Sequence, residues 1–130
     1  MAKLYESGEN YLETILVLHL ESSYVRAVDI AHELDVSKPS VSRAMGILRD
    51  GGFIRIADDG NITLTESGKE VAERIYERHR VLSQWLIDLG VDEETAAEDA
   101  CRMEHVISAR SFDALKQHLR EAHPNVTLPV

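Results

Sequence analysis

Cys101, Glu104 and His105 stand at i, i+3 and i+4. On a helix that spacing places a thiolate, a carboxylate and an imidazole on one face, and all three are metal-ligand types. Met103 and Ile107 are apolar on the opposite side, so the ligand face is expected to look toward another protein surface rather than simply toward water. His79 falls on the apolar stripe Val71, Ile75, Leu82 and Leu86 of a long helical pattern, where a neutral imidazole needs a polar partner. A shared metal would satisfy it. Asn10 and Glu13, on a helix near the start of the chain, add two oxygen donors. Each residue alone has a plainer reading: a hydrogen-bonded core histidine, a surface Glu-His pair, a cysteine that merely fills space. Convergence of the three ligand types favours a divalent transition metal. A rival makes Cys101 a nucleophile with His105 as its base, in a thiol hydrolase or a redox sensor. No oxyanion hole or substrate cleft is evident, so the chain reads as a non-enzyme. One cysteine cannot form an internal disulfide.

A second group of residues has the chemistry of DNA recognition. From Ser37 to Arg49 the chain carries Lys38, Arg43 and Arg49 and no acid before Asp50, a basic stretch inside a protein of net charge -9. Ser37, Lys38, Pro39, Ser40, Ser42 and Arg43 offer hydroxyls, apolar carbon and cationic groups that suit base edges and phosphates. Arg55, on a following hairpin, is placed to meet the flanking backbone. The hairpin tip, Asp58-Asp59, suits phosphate poorly. Such an acidic chain is not expected to coat nucleic acid nonspecifically, because phosphate neutralisation drives that kind of binding.

These groups need elements to hold them. An amphipathic helix is expected from about Gly8 to Glu21, capped by Ser7, with Tyr11, Ile15 and Leu18 inward. A second helix spans Arg26 to Leu34. After the short turn Asp35-Val36-Ser37 comes a third, capped by Ser37, tolerant of Pro39 in its first turn and ended by Gly51-Gly52. Two short helices across a tight turn form a helix-turn-helix pattern. Phe53 to Ile56, the turn Asp58-Asp59-Gly60-Asn61 and Ile62 to Leu64 read as a hairpin. Three helices complete the chain: Thr65 to about Leu89, a second from the Asp92 cap to about Ala109, and a third capped by Ser111 with Phe112, Leu115 and Leu119 inward. His123 to Val130 reads as a loose tail.

The fold class is therefore mainly α. A winged helix-turn-helix domain occupies residues 1–70, an all-helical metal-binding and dimerisation domain residues 71–123, and the tail 124–130. A chain of 130 residues with 44% hydrophobic content can bury a globular core. It has no apolar run near the roughly 20 residues a membrane span needs, and no apolar signal core at its start, so a cytoplasmic location is expected.

Four segments, in order, resemble the diphtheria toxin repressor family of metal-dependent regulators, which includes iron-dependent repressors and manganese transport regulators. They are Glu9-Asn10-Tyr11-Leu12-Glu13-Thr14-Ile15, Ser37-Lys38-Pro39-Ser40-Val41-Ser42, Arg78-His79-Arg80 and, most specific, Asp99-Ala100-Cys101-Arg102-Met103-Glu104-His105-Val106-Ile107-Ser108. The resemblance covers nearly the whole chain and leaves no room for the SH3-like third domain of longer members. It implies a homodimer on a palindromic operator, repressing iron or manganese uptake genes with Fe(II) or Mn(II) as co-repressor. Co, Ni or Zn would substitute in vitro. Cys101, Glu104 and His105 would be ligands, joined by Asn10, with His79 belonging to a second metal position. Asn10 departs from both types, since iron-type members carry methionine there and manganese-type members aspartate. Glu13 matches a manganese-type carboxylate, whereas Cys101 matches the iron-type cysteine. Ser83 and Ala97 replace further iron-type ligands. A winged-helix regulator answering to a small organic effector is the remaining alternative.

Overall fold

A computed structural model describes residues 6–122. The helix-turn-helix forms where the local signals are strongest. α1 (Glu6–Glu21) is followed by α2 (Ala27–Leu34) and α3 (Lys38–Asp50). Arg26 is the N-cap of α2 rather than its first residue, and its backbone N–H donates to the Asp29 carboxylate at 2.9 Å. α2 ends on Asp35, held in the left-handed conformation with φ 53°, which Asp adopts more readily than most residues. Two residues later Ser37 caps α3, its hydroxyl accepting from the Ser40 N–H, and Pro39 occupies the first turn.

The hairpin pairs β1 (Ile54–Ile56) antiparallel with β2 (Ile62–Leu64), with Arg55 opposite Thr63. Gly60, at φ 90°, provides the turn, and its N–H donates to Ala57. The wing is also tied to the segment preceding α2. The Ile62 N–H donates to the Val25 carbonyl at 2.7 Å, the Val25 N–H donates to Asn61 Oδ1 at 2.9 Å, and the Tyr24 hydroxyl donates to the Asp59 carbonyl. His19, in the last turn of α1, donates from Nε2 to the Ile62 carbonyl at 2.6 Å.

Leu12, Ile15, Ile30, Val41, Met45, Leu48, Phe53, Ile54 and Ile62 form the core of this unit. Tyr11 and Leu18, read from the sequence as inward, are half-buried at its margin, while Leu12 is fully buried. α1 therefore buries a broader face than one stripe. α4 (Glu66–Asp88) is capped by Thr65, whose hydroxyl accepts from the Gly68 N–H.

The chain divides into two compact units between Glu73 and Arg74, inside α4. In the second unit Val81, Leu82, Ala100, Phe112 and Leu119 form the core, with Trp85, Met103, Ile107 and Leu115 partly buried around it. α5 (Glu93–Met103) starts on the Asp92 cap, whose carboxylate accepts the Thr95 N–H at 3.0 Å. It ends six residues before the Ala109 end expected from sequence, because the backbone turns at Glu104–Val106. α6 (Ala109–Ala122) starts earlier than the expected Ser111 cap: Ser108 takes that role, its hydroxyl accepting the Ser111 N–H at 3.1 Å. The expected tail lies outside the described residues. Among the described residues no helix is long and apolar enough to cross a membrane.

Candidate functional site

In the first unit, the seven residues read as DNA-facing are all exposed: Ser37, Lys38, Pro39, Ser40, Ser42 and Arg43 on or capping α3, and Arg55 on β1. Ser37 and Ser40 come together, the Ser37 hydroxyl donating to Ser40 Oγ at 2.8 Å. Ser40 keeps its own hydroxyl proton for an outside acceptor. Arg49 is a different case. It lies 3.4 Å from its neighbour Asp50, both well exposed, so the cationic character of the face comes from Lys38 and Arg43. Ile47 is 66% exposed, one turn beyond Arg43 on the same side of α3. The sequence reading left it out, although its register with Ser40 and Arg43 was visible there. Between α2, α3 and the wing lies an open groove of about 530 Å³, walled by Arg26, Val28, Ser42, Met45 and Ile56 and bordered by Asp58 and Asp59.

In the second unit, two of the predicted ligands, His79 and His105, each approach the carboxylate of a third, Glu104. Glu104, at the C-terminal end of α5, has no exposed surface. His79 of α4 donates from Nδ1 to Glu104 Oε2 at 2.8 Å. His105 follows in the turn, its side chain only 2% exposed, with Nε2 at 3.4 Å from Glu104 Oε1. That contact is too poorly aligned to be a hydrogen bond, and Oε1 is buried with no donor. A buried carboxylate oxygen in this position costs about 1 to 3 kcal/mol or more unless a cation or donor reaches it. Two imidazoles and a carboxylate are a suitable donor set for a divalent transition metal. The orphaned oxygen and these donors fit that use.

The remaining predicted ligands lie on α5 and on α1. Cys101 is exposed on α5. It neighbours Ala100, which with Ala96 and Glu104 makes the buried stripe of that helix at spacing i, i+4, i+8. Glu13 is buried and Asn10 half-buried on α1 in the first unit, where the Asn10 carbonyl accepts the Thr14 hydroxyl at 2.9 Å.

One residue in contact with the group around Glu104 was missed. Arg78 is buried and donates from Nη1 to the carbonyls of Glu104, at 3.1 Å, and Ile107, at 2.8 Å. Its place one helical turn after the buried Ile75 and before the buried Val81 and Leu82 was the available signal.

Two domains of a known protein family match the chain. Residues 3–61 match the N-terminal DNA-binding domain of the iron-dependent repressors, and residues 65–125 their metal-binding and dimerisation domain. The chain is also 37% identical over 106 residues to the transcriptional regulator MntR of Salmonella typhimurium, across 82% of this chain and 68% of that protein. The chain belongs to the diphtheria toxin repressor family. Its work is metal-dependent, DNA-binding transcriptional regulation rather than enzymatic catalysis. Its partners are DNA and a second copy of itself. It is 36% identical to the iron-dependent repressor IdeR of Mycobacterium tuberculosis, over 83% of this chain and 47% of that one. A solved manganese-dependent transcriptional repressor in complex with manganese superposes with a TM-score of 0.79 at 26% identity, over 86% of this chain and 52% of that one. The chain thus spans about two thirds of MntR and about half of the other two.

Proposed function

We propose that this family member represses transcription as a homodimer on a palindromic operator, with Mn(II) or Fe(II) as co-repressor at Glu104, His79 and His105. The reading rests chiefly on the buried Glu104 carboxylate, which meets one imidazole at each oxygen and whose Oε1 has no hydrogen-bond donor. A divalent cation supplies there the positive charge the carboxylate lacks. His79 and His105 provide borderline nitrogen donors and Glu104 a hard oxygen, a set that suits either metal. Asn10, Glu13 and Cys101 enter the ligand set on the sequence resemblance. A solved repressor named for manganese, at 26% identity, and a relative named for iron, at 36%, both resemble the chain, and both metals stay in the proposal.

On the DNA side, Ser40, Ser42, Pro39 and Arg43 read the major groove while Ser37, Lys38 and Arg55 contact phosphate. Metal and DNA affinities are then linked reciprocally, and a coupling of about 1 to 3 kcal/mol corresponds to roughly 5 to 150-fold tighter DNA binding with metal. The test is a mobility shift on duplexes selected from a random library by the protein with Mn(II), repeated with anaerobic Fe(II) and with chelator, for wild type and Glu104→Gln. Wild type is expected to bind tightly only with metal, and Glu104→Gln to lose the metal response. Equal wild-type affinity with chelator refutes the reading.

A further inference from the structure

The C-terminal end of α5 leaves carbonyls that the helix itself cannot satisfy, as every helix end does. In most proteins a glycine in the left-handed conformation, or water, closes such an end. Here neither Glu104 nor the two residues after it is glycine, and Glu104 keeps a right-handed backbone at φ -61°. The capping group comes from 26 residues earlier in the chain. Nη1 of Arg78 is shared between the carbonyls of Glu104 and Ile107, the two ends of the turn that follows the helix. The Arg78 guanidinium also lies 5.6 Å from the ring centre of Phe112, a buried residue of α6. One side chain of α4 therefore holds the α5–α6 turn and rests on α6.

That turn carries the metal donors. Adjacent residues of α4 grip Glu104 from two sides, Arg78 by its backbone carbonyl and His79 by its carboxylate. His105 is the next residue of the same turn. We propose that Arg78 is a positioning residue for the metal centre: by fixing the carbonyls of Glu104 and Ile107 it sets the direction in which Glu104 and His105 present their donor atoms. The idea rests on the metal reading above. Two effects of Arg78 on a metal oppose each other. Positioning strengthens binding, whereas the guanidinium charge repels a divalent cation. Both hydrogen bonds and the ring contact point the guanidinium at carbonyls and an aromatic face, where its charge is partly compensated, so positioning dominates.

Mn(II) affinity, followed by loss of the free-ion paramagnetic resonance signal, and the visible absorption of bound Co(II) separate these effects in the full chain. The variants are Arg78→Met, Arg78→Lys and Glu104→Gln, each checked for folding by circular dichroism. Arg78→Met is expected to bind Mn(II) about 10 to 100-fold more weakly, the usual consequence of losing a group that orients ligands, and to shift the Co(II) bands. Arg78→Lys keeps the charge but not the planar fork, and is expected to fall between Arg78→Met and wild type. If Arg78→Met does not fold, Phe112→Leu, which removes the ring and leaves both hydrogen bonds, is expected to show the same change in smaller measure alongside Arg78→Lys. Folded variants with wild-type affinity and an unchanged Co(II) spectrum overturn the proposal, as does tighter binding by Arg78→Met. Glu104→Gln binding as well as wild type removes the metal reading itself, and the role of Arg78 with it.

Discussion

Gly68 and Gly46 both lie within helices of the first unit, yet the same change to alanine should move stability in opposite directions. A Cβ built on Gly68 falls 2.0 Å from the Phe53 carbonyl oxygen and 3.0 Å from its carbon, whereas one on Gly46 meets nothing within 4 Å. The Phe53 oxygen cannot easily retreat, because it accepts the Thr65 N–H at 3.1 Å where the chain enters α4. Relieving the contact means separating the start of α4 from β1 by about 1 Å. Overpacking of this kind costs roughly 1 to 3 kcal/mol, loss of the Thr65 bond about 1 more, and the helix preference of alanine over glycine returns about 1. Gly68→Ala should therefore destabilise by about 1 to 3 kcal/mol, lowering Tm by roughly 4 to 12 °C for a chain of this size. Gly46→Ala meets no obstacle and should stabilise by about 0.5 to 1 kcal/mol. Its new methyl stands on the exposed side of α3 beside Ile47, so a loss of DNA affinity despite higher stability would mark close approach of DNA there. Thermal melts and urea titrations of the two variants beside wild type provide the measurement. A Gly68→Ala protein at least as stable as wild type refutes the packing of α4 on Phe53.

Three more expectations follow from single contacts. Asn61→Ala leaves the N–H of the buried Val25 without its acceptor and should cost about 1 to 2 kcal/mol, while Asn61→Asp, which keeps an acceptor oxygen, should cost less; hydrogen exchange at Val25 reports the difference. The Thr95 backbone and side chain, donating to Asp92, hold that carboxyl below its usual value of 3.8, so its stabilising effect is complete above that pH and is lost as pH falls through the lower folded value. Asp92→Ala should accordingly melt below wild type at pH 6, with the gap closing toward pH 3, and a gap independent of pH would exclude the charged cap. Lys38→Ala should weaken binding to selected and random duplexes alike and reduce the slope of log K against log salt by about 0.9, and an unchanged slope would remove Lys38 from the phosphate contacts.

Local chemistry made the first unit legible. Ser37 announces α3, Asp59-Gly60 the hairpin turn, and Thr65 the start of α4, each through a hydrogen bond made within a few residues of itself. The end of α5 was not legible, because no glycine or proline marks it: the Val106 and Ile107 N–H groups close the turn on the Met103 carbonyl, and the Arg78 guanidinium, a tertiary partner that no local pattern contains, takes the Glu104 and Ile107 carbonyls. The difference bears on how the site is held. A helix running through to Ala109 would make Cys101, Glu104 and His105 equivalent members of one face. The actual helix buries Ala96, Ala100 and Glu104 and leaves Cys101 outside, while His105 is carried inward by the turn. Spacing shows which residues share a side of a helix, but small Ala96 and Ala100 decide which side meets a neighbour. What survived was the least local signal, a polar residue interrupting an apolar stripe, His79 among Ile75 and Leu82; Glu104 after Ala96 and Ala100 carries the same signal, which the sequence reading did not use. A buried polar group must be compensated, so two such interruptions in one unit are expected to meet. They do, at 2.8 Å, and the carboxylate oxygen their meeting leaves without a donor is the atom on which the metal proposal rests.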